Sequence, residues 1–347
     1  MALIIQKFGG TSVADADSRD QLVAKVAQAR DHGDLAVLVV SAMGRRGAPY
    51  ATDTLLDILR DFDPKPDGMI SDLLVSSCET ISACLIATQL RRRGIPAVPM
   101  TAYTAGIRAQ GPFGDAVLTG VDGAEILARL GQGVVPVITG FQAVDPSNNI
   151  ITLGRGGSDT SAVAVGAALR ADYVDIYTDV PGVARADPRV IPEADYMEFL
   201  DYGSMFRLAR HGAKVLHDRS AQLAGQSGML IRVRSTFDEG EGTLIGPEGT
   251  RDKWGMPRAN SEFIGLASLA NPDGSRLVTA VFAKGKGLPG VAAALEAAQP
   301  FRVGRGLLDD PDAVSFRCDR EHFPAFASAL YAHLDQIFSP AGIRSRK

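Results

Sequence analysis

Long apolar runs divide the first two thirds of the chain, and amphipathic stretches separate most of them. Between residues 18 and 33, Leu22, Val23 and Val26 recur at helical spacing, and Gly33 follows as a stop signal. Short runs that are apolar throughout are typical of strands buried on both faces of a sheet. We predict strands at residues 3–8, 35–43, 134–144, 173–180 and 230–236, with those at 3–8 and 35–43 buried.

This alternation predicts the fold class. Strands that alternate with helices form an α/β fold with a mainly parallel sheet between two helical layers, that is, a three-layer αβα sandwich. The predicted sandwich spans residues 1–248, and residues 249–262, rich in Gly, Pro and charge, are predicted to be a linker. Three further strands and two helices are predicted in residues 263–347, which indicates a small α+β domain.

Composition excludes several classes of protein. A length of 347 residues suits two domains, and a net charge of −4 gives no reason to expect nucleic acid or an anionic membrane as a partner. We find no signal peptide, and no stretch approaches the roughly 20 apolar residues of a membrane span. Cys78, Cys84 and Cys318 lack metal-ligand spacing, so we expect free thiols and a cytoplasmic location.

Two glycine-rich turns are candidates for phosphate binding. "KFGGTS" at residues 7–12 and "GRGGSD" at residues 154–159 each follow a predicted strand and open a helix. Backbone N–H groups at such helix starts attract anions, and each turn carries one cation, Lys7 or Arg155. Phosphoryl transfer needs mainly positioning and charge stabilisation, so the two turns favour that chemistry. The alternative is two structural turns with capping residues.

A third turn is treated as structural. "GKGLPG" at residues 285–290 matches the dinucleotide fingerprint G-x-G-x-x-G, but too little chain remains to build the rest of the sheet that this fingerprint requires. We therefore predict an ordinary strand-to-helix turn there.

Motifs in register along the chain carry a family resemblance. They are "KFGGTSV" (7–13), "SAMGRRGAPYATDTLL" (41–56), "SSCETIS" (76–82), "TLGRGGSDTSA" (152–162), "YTDVPGVARADPR" (177–189) and "GAKVLH" (212–217). In this order they resemble aspartate kinases of the amino acid kinase superfamily. The resemblance covers residues 1–248 and implies transfer of the ATP γ-phosphoryl group to the side-chain carboxylate of L-aspartate. That reaction is the first step towards lysine, threonine, methionine and diaminopimelate, with ATP and Mg²⁺ as cofactors.

The resemblance also assigns roles by position. It implies that Lys7 and Asp159 are catalytic, with Asp159 orienting the lysine. It implies substrate-binding roles for Ser41, Thr52, Glu79, Arg155 and Ser158. It implies nucleotide-binding roles for Lys7, Gly9, Gly10, Thr178, Asp179, Arg189 and Lys214. In the substrate set, Glu79 would pair with the substrate ammonium, and Arg155 would grip its α-carboxylate with a bidentate fork. No metal ligand is predicted, and His217 is interpreted as a core or surface histidine.

The sequence departs from the family pattern in two ways. Cys78, Ala184, Ser204 and Asp218 replace the residues usual at their positions, which bears on nucleotide affinity and rate. The region after residue 262 resembles a single, degenerate ACT domain where the family usually has two. We therefore expect a homodimer, formed through the ACT-like domain, with weak or lost feedback inhibition. Two alternatives stay open: a related amino acid kinase acting on another acid acceptor in a specialised pathway, and a non-catalytic regulatory homologue.

Overall fold

The computed structural model of the protein describes residues 1–250, 262–301, 303–306 and 310–338. Its strands are β1 (Leu3–Phe8), β2 (Leu35–Val40), β3 (Ala97–Met100), β4 (Ile107–Gln110), β5 (Val117–Val121), β6 (Val135–Thr139), β7 (Gln142–Val144), β8 (Ile150–Thr152), β9 (Tyr173–Thr178), β10 (Phe199–Asp201), β11 (Ile231–Ser235), β12 (Thr243–Gly246), β13 (Phe263–Ala270), β14 (Arg276–Phe282), β15 (Gly304–Gly306) and β16 (Ala313–Cys318). Its helices are α1 (Ala16–Asp31), α2 (Thr52–Phe62), α3 (Gly68–Arg92), α4 (Ala124–Gly131), α5 (Gly157–Leu169), α6 (Tyr202–Arg210), α7 (Asp218–Ser227), α8 (Gly287–Ala298) and α9 (Phe323–Phe338), with a 3-10 turn at Gly10–Val13.

The chain forms two compact units. The first contains Met1–Pro181 and Leu223–Leu244, and the second contains Gly182–Gln222 and the described residues from Ile245 onward. The boundary between the units therefore falls inside the predicted 1–248 domain. Most of the predicted linker lies outside the described residues.

The first unit is built on a parallel sheet with the order β11-β9-β1-β2-β6-β3. The prediction of a mainly parallel α/β sheet is confirmed. Apolar side chains from β1, β2 and α1 share one buried cluster with Ile86 and Leu90 of α3. Phe8 and Tyr177 lie opposite each other on β1 and β9, and their rings stack at 4.7 Å between centroids. Five of the six residues of β1 and of β2 are buried, which is typical of strands covered on both faces of a sheet.

The predicted strand over 134–144 is wrong as a single element. The run divides into β6, which belongs to the parallel sheet, and β7, which pairs with β4 and β8 in a second, four-stranded sheet of order β5-β4-β7-β8. Phe141 lies between them with φ of +70°, a left-handed conformation that ends the extended backbone. Both halves are buried, so hydrophobicity does not mark the break.

Helix α3 is long and apolar enough, by length and composition alone, to cross a membrane, although the sequence analysis expected no such stretch. Of its most apolar window, 44% is buried inside the structure, and the helix packs on β3 and β6. It also buries two carboxylates, Asp72 and Glu79. Core helices of globular proteins pass the same test, so this is weak evidence for a membrane span.

The second unit contains an antiparallel sheet of order β13-β14-β16-β15. Helices α8 and α9 pack on it around Phe282, Phe316 and Phe326. The short strand β15 is one more than the sequence predicts. The turn at 285–290 is structural, as predicted: the N–H groups of Gly285 and Gly287 both donate to the Asp312 carboxylate at 3.0 Å. A carboxylate of the chain itself thus occupies the anion position of the apparent dinucleotide fingerprint.

Candidate active site

The carboxyl ends of four neighbouring strands meet at one edge of the parallel sheet. β1, β2, β6 and β9 end at Phe8, Val40, Thr139 and Thr178, and the register pairs Phe8 with Val40 and with Tyr177. Loops that follow parallel strands gather at this edge, where α/β proteins bind their ligands. The sequence-predicted residues of the first unit lie on or beside these loops.

Lys7 and Asp159 form an ion pair at the centre of this edge. The distance between Lys7 Nζ and Asp159 Oδ1 is 2.6 Å, and the two residues are only 9% and 8% exposed. Lys7 is the penultimate residue of β1, and Asp159 lies in the first turn of α5. A buried ammonium held by one carboxylate has further donors available for an anion. The two residues predicted to be catalytic are therefore brought together.

The first glycine-rich turn approaches the loop after β2 closely. A Cβ atom at Gly10 would lie 2.9 Å from the carbonyl oxygens of both Ala42 and Gly44, so only glycine fits there. The N–H of Gly44 donates to the Gly10 carbonyl at 3.0 Å, and the N–H of Ser41 donates to the Phe8 carbonyl at 3.1 Å. Gly9 donates its N–H to Tyr177 at 3.1 Å, which ties the turn to β9.

The second turn opens α5 without a side-chain cap. Gly156 occupies the N-cap position with φ of +68°, and no side chain satisfies the first N–H groups of the helix. Such N–H groups are suited to bind an anion. Arg155 is exposed, and among the residues that the structure describes no hydrogen bond or ion pair involves its side chain. Ser158 is 9% exposed and packs against Gly140, just beyond β6.

Glu79 is the most buried of the predicted substrate residues, with 2% exposure. Its Oε1 accepts the N–H of Ala42 at 3.1 Å, whereas its buried Oε2 has no hydrogen-bond partner among the described residues. Burial raises the pKa of Glu79 to about 8. A buried carboxylate with an unpaired oxygen is costly unless it meets a cation.

Thr52, at the start of α2, contacts Cys78, the residue before Glu79: its side chain is hydrogen-bonded to the thiol. Burial and the neighbouring Glu79 nevertheless raise the pKa of Cys78 to about 12. The thiol is therefore neutral at physiological pH. Thr52 on α2 therefore lies close to the part of α3 that carries Glu79, and both residues are assigned to the substrate by the family resemblance.

Thr178 and Asp179 follow β9. The hydroxyl of Thr178 donates to Asp179 at 3.1 Å, and Arg45 from the loop after β2 pairs with Asp179 at 2.8 Å. Both partners of this ion pair are largely exposed, so it contributes little to stability. The pair nevertheless connects the loop after β2 with the loop after β9, which lie on either side of Gly9.

Arg189 and Lys214 belong to the second unit. Arg189 forms a bidentate pair with Asp187, with N···O distances of 2.9 and 2.8 Å. Hydrogen bonds from Arg189, with a further contribution from Lys214, lower the pKa of Asp187. Arg189 is therefore paired with Asp187 within its own unit, and Lys214 acts on this carboxylate only electrostatically.

Two residues of the first unit were missed by the sequence analysis. Phe141 packs its ring against Gly157, where a Cβ atom would lie 2.8 Å away, and its left-handed backbone is of the kind that concentrates at functional sites. Asp72, 3% exposed, accepts the N–H and hydroxyl of Thr152 at 2.7 and 2.9 Å and the N–H of Gly114 at 2.9 Å. It anchors the end of β8 immediately before the Arg155 turn. In the sequence, the apolar run around Phe141 is the one signal that could have pointed to that residue. No such signal marks Asp72.

The departures from the family pattern have local partners. Ser204 follows the N-cap Asp201 of α6, whose carboxylate accepts both its N–H and its hydroxyl, at 2.9 and 2.5 Å. Asp218 lies 2.8 Å from Nδ1 of His217. Ala184 forms an isolated bridge with Tyr196.

Metal binding by the chain alone has little support in the described residues. They contain no group of three or more His, Cys, Asp or Glu side chains that could hold a metal ion. Mg²⁺ is commonly held by one or two carboxylates, substrate phosphates and water. The residues present therefore fit an Mg²⁺ ion that arrives with a nucleotide, for which Asp179 is a carboxylate at the strand edge.

Comparisons with known proteins show which family the chain resembles. The chain is 42% identical over 245 residues to an aspartokinase of Thermus thermophilus, covering 71% of this chain and 59% of the relative, and 40% identical to aspartokinase 1 of Bacillus subtilis, covering 71% and 61%. The chain thus spans about 60% of the length of these curated relatives.

Among solved structures, aspartokinase III of E. coli in complex with aspartate and ADP superposes with a TM-score of 0.77 at 21% identity, covering 96% of this chain and 99% of that one. Aspartate kinase from Synechocystis gives a TM-score of 0.64 at 25% identity, covering 98% and 70%. The first likeness concerns the fold alone. The family model described as "Amino acid kinase family" matches residues 2–235, and the chain belongs to the amino acid kinase family.

Proposed function

We propose that the protein is an aspartate kinase, which transfers the γ-phosphoryl group of ATP to the side-chain carboxylate of L-aspartate. The observation that carries the proposal is the buried Lys7–Asp159 pair, 2.6 Å long, at the meeting point of two glycine-rich turns. The curated relatives named aspartokinase support the choice of reaction. A carboxylate oxygen of aspartate attacks the γ-phosphorus, a new O–P bond forms, and the bond to the bridging oxygen of ADP breaks.

Each group at the strand edge has a task in this reaction. Lys7 stabilises the charge on the transferring phosphoryl group, and Asp159 keeps its ammonium in place. The N–H groups of Gly10 and of the first turn of α5 bind phosphate oxygens, and Gly9, whose own N–H is held by the Tyr177 carbonyl, lets the phosphate approach the turn closely. Mg²⁺ bound with ATP supplies additional neutralisation of phosphate charge. Because the attacking carboxylate is already ionised, no general base is required.

The substrate residues select a free α-amino acid. The unpaired Oε2 of Glu79 is suited to an ammonium group, and the uncommitted guanidinium of Arg155 is suited to an α-carboxylate. Ser41, Thr52 and Ser158 complete the proposed binding site. An N-acylated acceptor carries no ammonium group and would leave Glu79 without a partner. This disfavours the alternative acceptors that lack a free amine.

The nucleotide and assembly assignments extend the proposal. Thr178, Asp179, Arg189 and Lys214 would hold the nucleotide, as in the family that the chain resembles. We propose that the protein is a cytoplasmic homodimer that catalyses the first step towards lysine, threonine, methionine and diaminopimelate. We also propose weak or lost feedback inhibition by lysine and threonine.

A direct assay tests the proposal. The purified protein is incubated with Mg·ATP and L-aspartate, L-glutamate or N-acetyl-L-glutamate, and acyl phosphate is trapped with hydroxylamine while ADP release is measured. We expect both signals with L-aspartate and neither with N-acetyl-L-glutamate. ADP release without trapped product, or preference for another acceptor, would contradict the proposal. The Lys7→Ala variant controls for contaminating kinases.

A further inference from the structure

The segment of residues 184–195, which contains Arg189, is attached to the C-terminal sheet of the second unit. Its backbone folds back on itself, with the N–H of Arg185 donating to Asp195 at 2.9 Å. The carbonyl of Arg185 accepts the N–H of Leu266 on β13 at 2.7 Å. A Cβ atom at Gly265 would lie 2.3 Å from this carbonyl, so the contact requires glycine on β13. The segment therefore lies directly against the edge of the C-terminal sheet.

The Arg185 side chain strengthens this attachment. The residue is 9% exposed, and its guanidinium pairs with Asp335 of α9 at 2.9 Å. It also donates to the carbonyl of Ile264 at 3.4 Å and to that of Phe263. The guanidinium lies over the Phe263 ring, 5.0 Å from its centroid. One buried cation thus joins the segment to both a strand and a helix of the C-terminal module, that is, the sheet formed by β13, β14, β15 and β16 with helices α8 and α9.

Apolar packing continues along the same segment. Ala186, Ile191 and Ala194 belong to the buried cluster that also contains Phe263 and Tyr331. The core of the C-terminal module is therefore shared with the segment. Without the module these side chains would be exposed to water.

One of the predicted nucleotide-binding cations, Arg189, is held within this segment. Asp187 lies two residues after Arg185 and accepts both the backbone N–H and the guanidinium of Arg189. Lys214, which lies outside the segment, makes a smaller electrostatic contribution to the lowered pKa of Asp187. Displacement of the segment would therefore move Arg189.

We infer that Arg185 is a positioning residue for the nucleotide, and that the C-terminal module is a structural support of the nucleotide-binding residues rather than only a regulatory attachment. The inference rests on the proposed function. It predicts that weakening the attachment impairs nucleotide binding selectively, whereas removal of an inhibitory module would leave activity intact or raise it.

The test compares Arg185→Ala and Arg185→Lys with wild type. We expect Arg185→Ala to raise the KM for ATP and the Kd for ADP about tenfold, as for the loss of one buried charged contact, with the KM for aspartate changed less than about twofold. Arg185→Lys should recover part of the affinity, because an ammonium can pair with Asp335 but cannot fork to the two carbonyls. Arg317→Ala, which removes an exposed ion pair with Asp273 elsewhere in the module, is the matched control and should leave both constants unchanged.

Two further measurements keep the outcomes distinct. If Arg185→Ala fails to fold, Asp335→Asn removes only the half-exposed partner and should still raise the Kd for ADP, measured by calorimetry. Unchanged ADP affinity in folded variants, or equal rises in both KM values, would overturn the inference. ADP binding is measured without aspartate. If the wild-type protein binds ADP but does not phosphorylate aspartate, the proposed reaction is refuted. The role of Arg185 in nucleotide binding can still be tested in that case.

Discussion

Replacing Glu79 with glutamine separates the cost of burying a carboxylate from its use in binding an ammonium group. Glu79 is 2% exposed, one of its oxygens has no partner among the described residues, and its pKa is raised to about 8. The neutral amide has nearly the same shape and can still accept the N–H of Ala42. The variant therefore removes the charge and leaves the packing intact.

The stability change follows from the sign of the pKa shift. A carboxyl group with a raised pKa binds its proton more tightly in the folded state, so its contribution to stability is lost as the pH rises from the ordinary pKa towards 8. At pH 7 the raised pKa corresponds to a cost of up to about 3 kcal/mol. We expect Glu79→Gln to be more stable than wild type, with a Tm several degrees higher at pH 7–8 and a difference that disappears near pH 4.5.

Activity should change in the opposite direction. With a pKa near 8, only about one tenth of Glu79 is ionised in the free protein at pH 7, so kcat/KM for aspartate should rise about fivefold between pH 7 and pH 8. In Glu79→Gln this pH dependence should disappear. At pH 8 its kcat/KM for aspartate should be about 10²-fold lower than that of wild type, which is the usual cost of truncating a buried charge pair. Most of the loss should lie in the KM for aspartate.

Coupled ADP-release kinetics across pH 6–9, with differential scanning calorimetry on the same samples, measure both effects. Glu239→Gln is the control, because Glu239 is exposed and its hydrogen bond with Lys25 lowers its pKa. A pH-independent kcat/KM in wild type, or a variant that is destabilised and retains its aspartate KM, would refute the reasoning.

Further outcomes are expected at the same site. Arg155→Lys should raise the KM for aspartate and leave the Kd for ADP unchanged, because an ammonium cannot fork to a carboxylate; a normal KM would exclude Arg155 from the substrate site. Lys7→Ala should lower kcat about 10²- to 10³-fold in single-turnover assays while ADP still binds, and retention of a third of wild-type turnover would contradict its role. Asp72→Asn places amide hydrogens against the N–H groups of Thr152 and Gly114, so the KM for aspartate should rise more than that for ATP; a proportional rise in both would indicate a purely structural role. Lysine and threonine, singly or together at millimolar concentration, should inhibit weakly or not at all in the same kinetic assay, and clear inhibition with matching calorimetric binding would show that regulation is retained.

Local patterns were sufficient for most elements. β1 occupies the predicted residues, and α5 begins inside the glycine-rich turn. Both could be predicted because an apolar run and a glycine affect the backbone conformation of only a few neighbouring residues. The break at Phe141 could not be predicted, because both flanking halves are buried and equally apolar. The choice between one strand and two depends on which sheet each half joins, which is a long-range property.

The contacts of the site residues were less accessible to sequence reasoning. Asp72 is one polar residue in an apolar helix, and its partners Gly114 and Thr152 are distant in sequence. Nothing local indicates that such a carboxylate will meet two backbone N–H groups. The turn at 285–290 is correctly predicted to be structural, but only the structure shows that Asp312 accepts from two of its N–H groups.

By itself, the sequence determined the alternation of strands and helices, the mainly parallel sheet, and the two glycine-rich turns with their cations, because each of these follows from short-range periodicity and backbone freedom. Only the tertiary structure brought Lys7 within 2.6 Å of Asp159, left one oxygen of Glu79 buried without a partner, and attached Arg185 to the C-terminal sheet. Those features depend on burial and on contacts between residues far apart in the chain. Burial is what raises the pKa of Glu79 and makes an unpaired charge costly, and it exists only once the fold has formed.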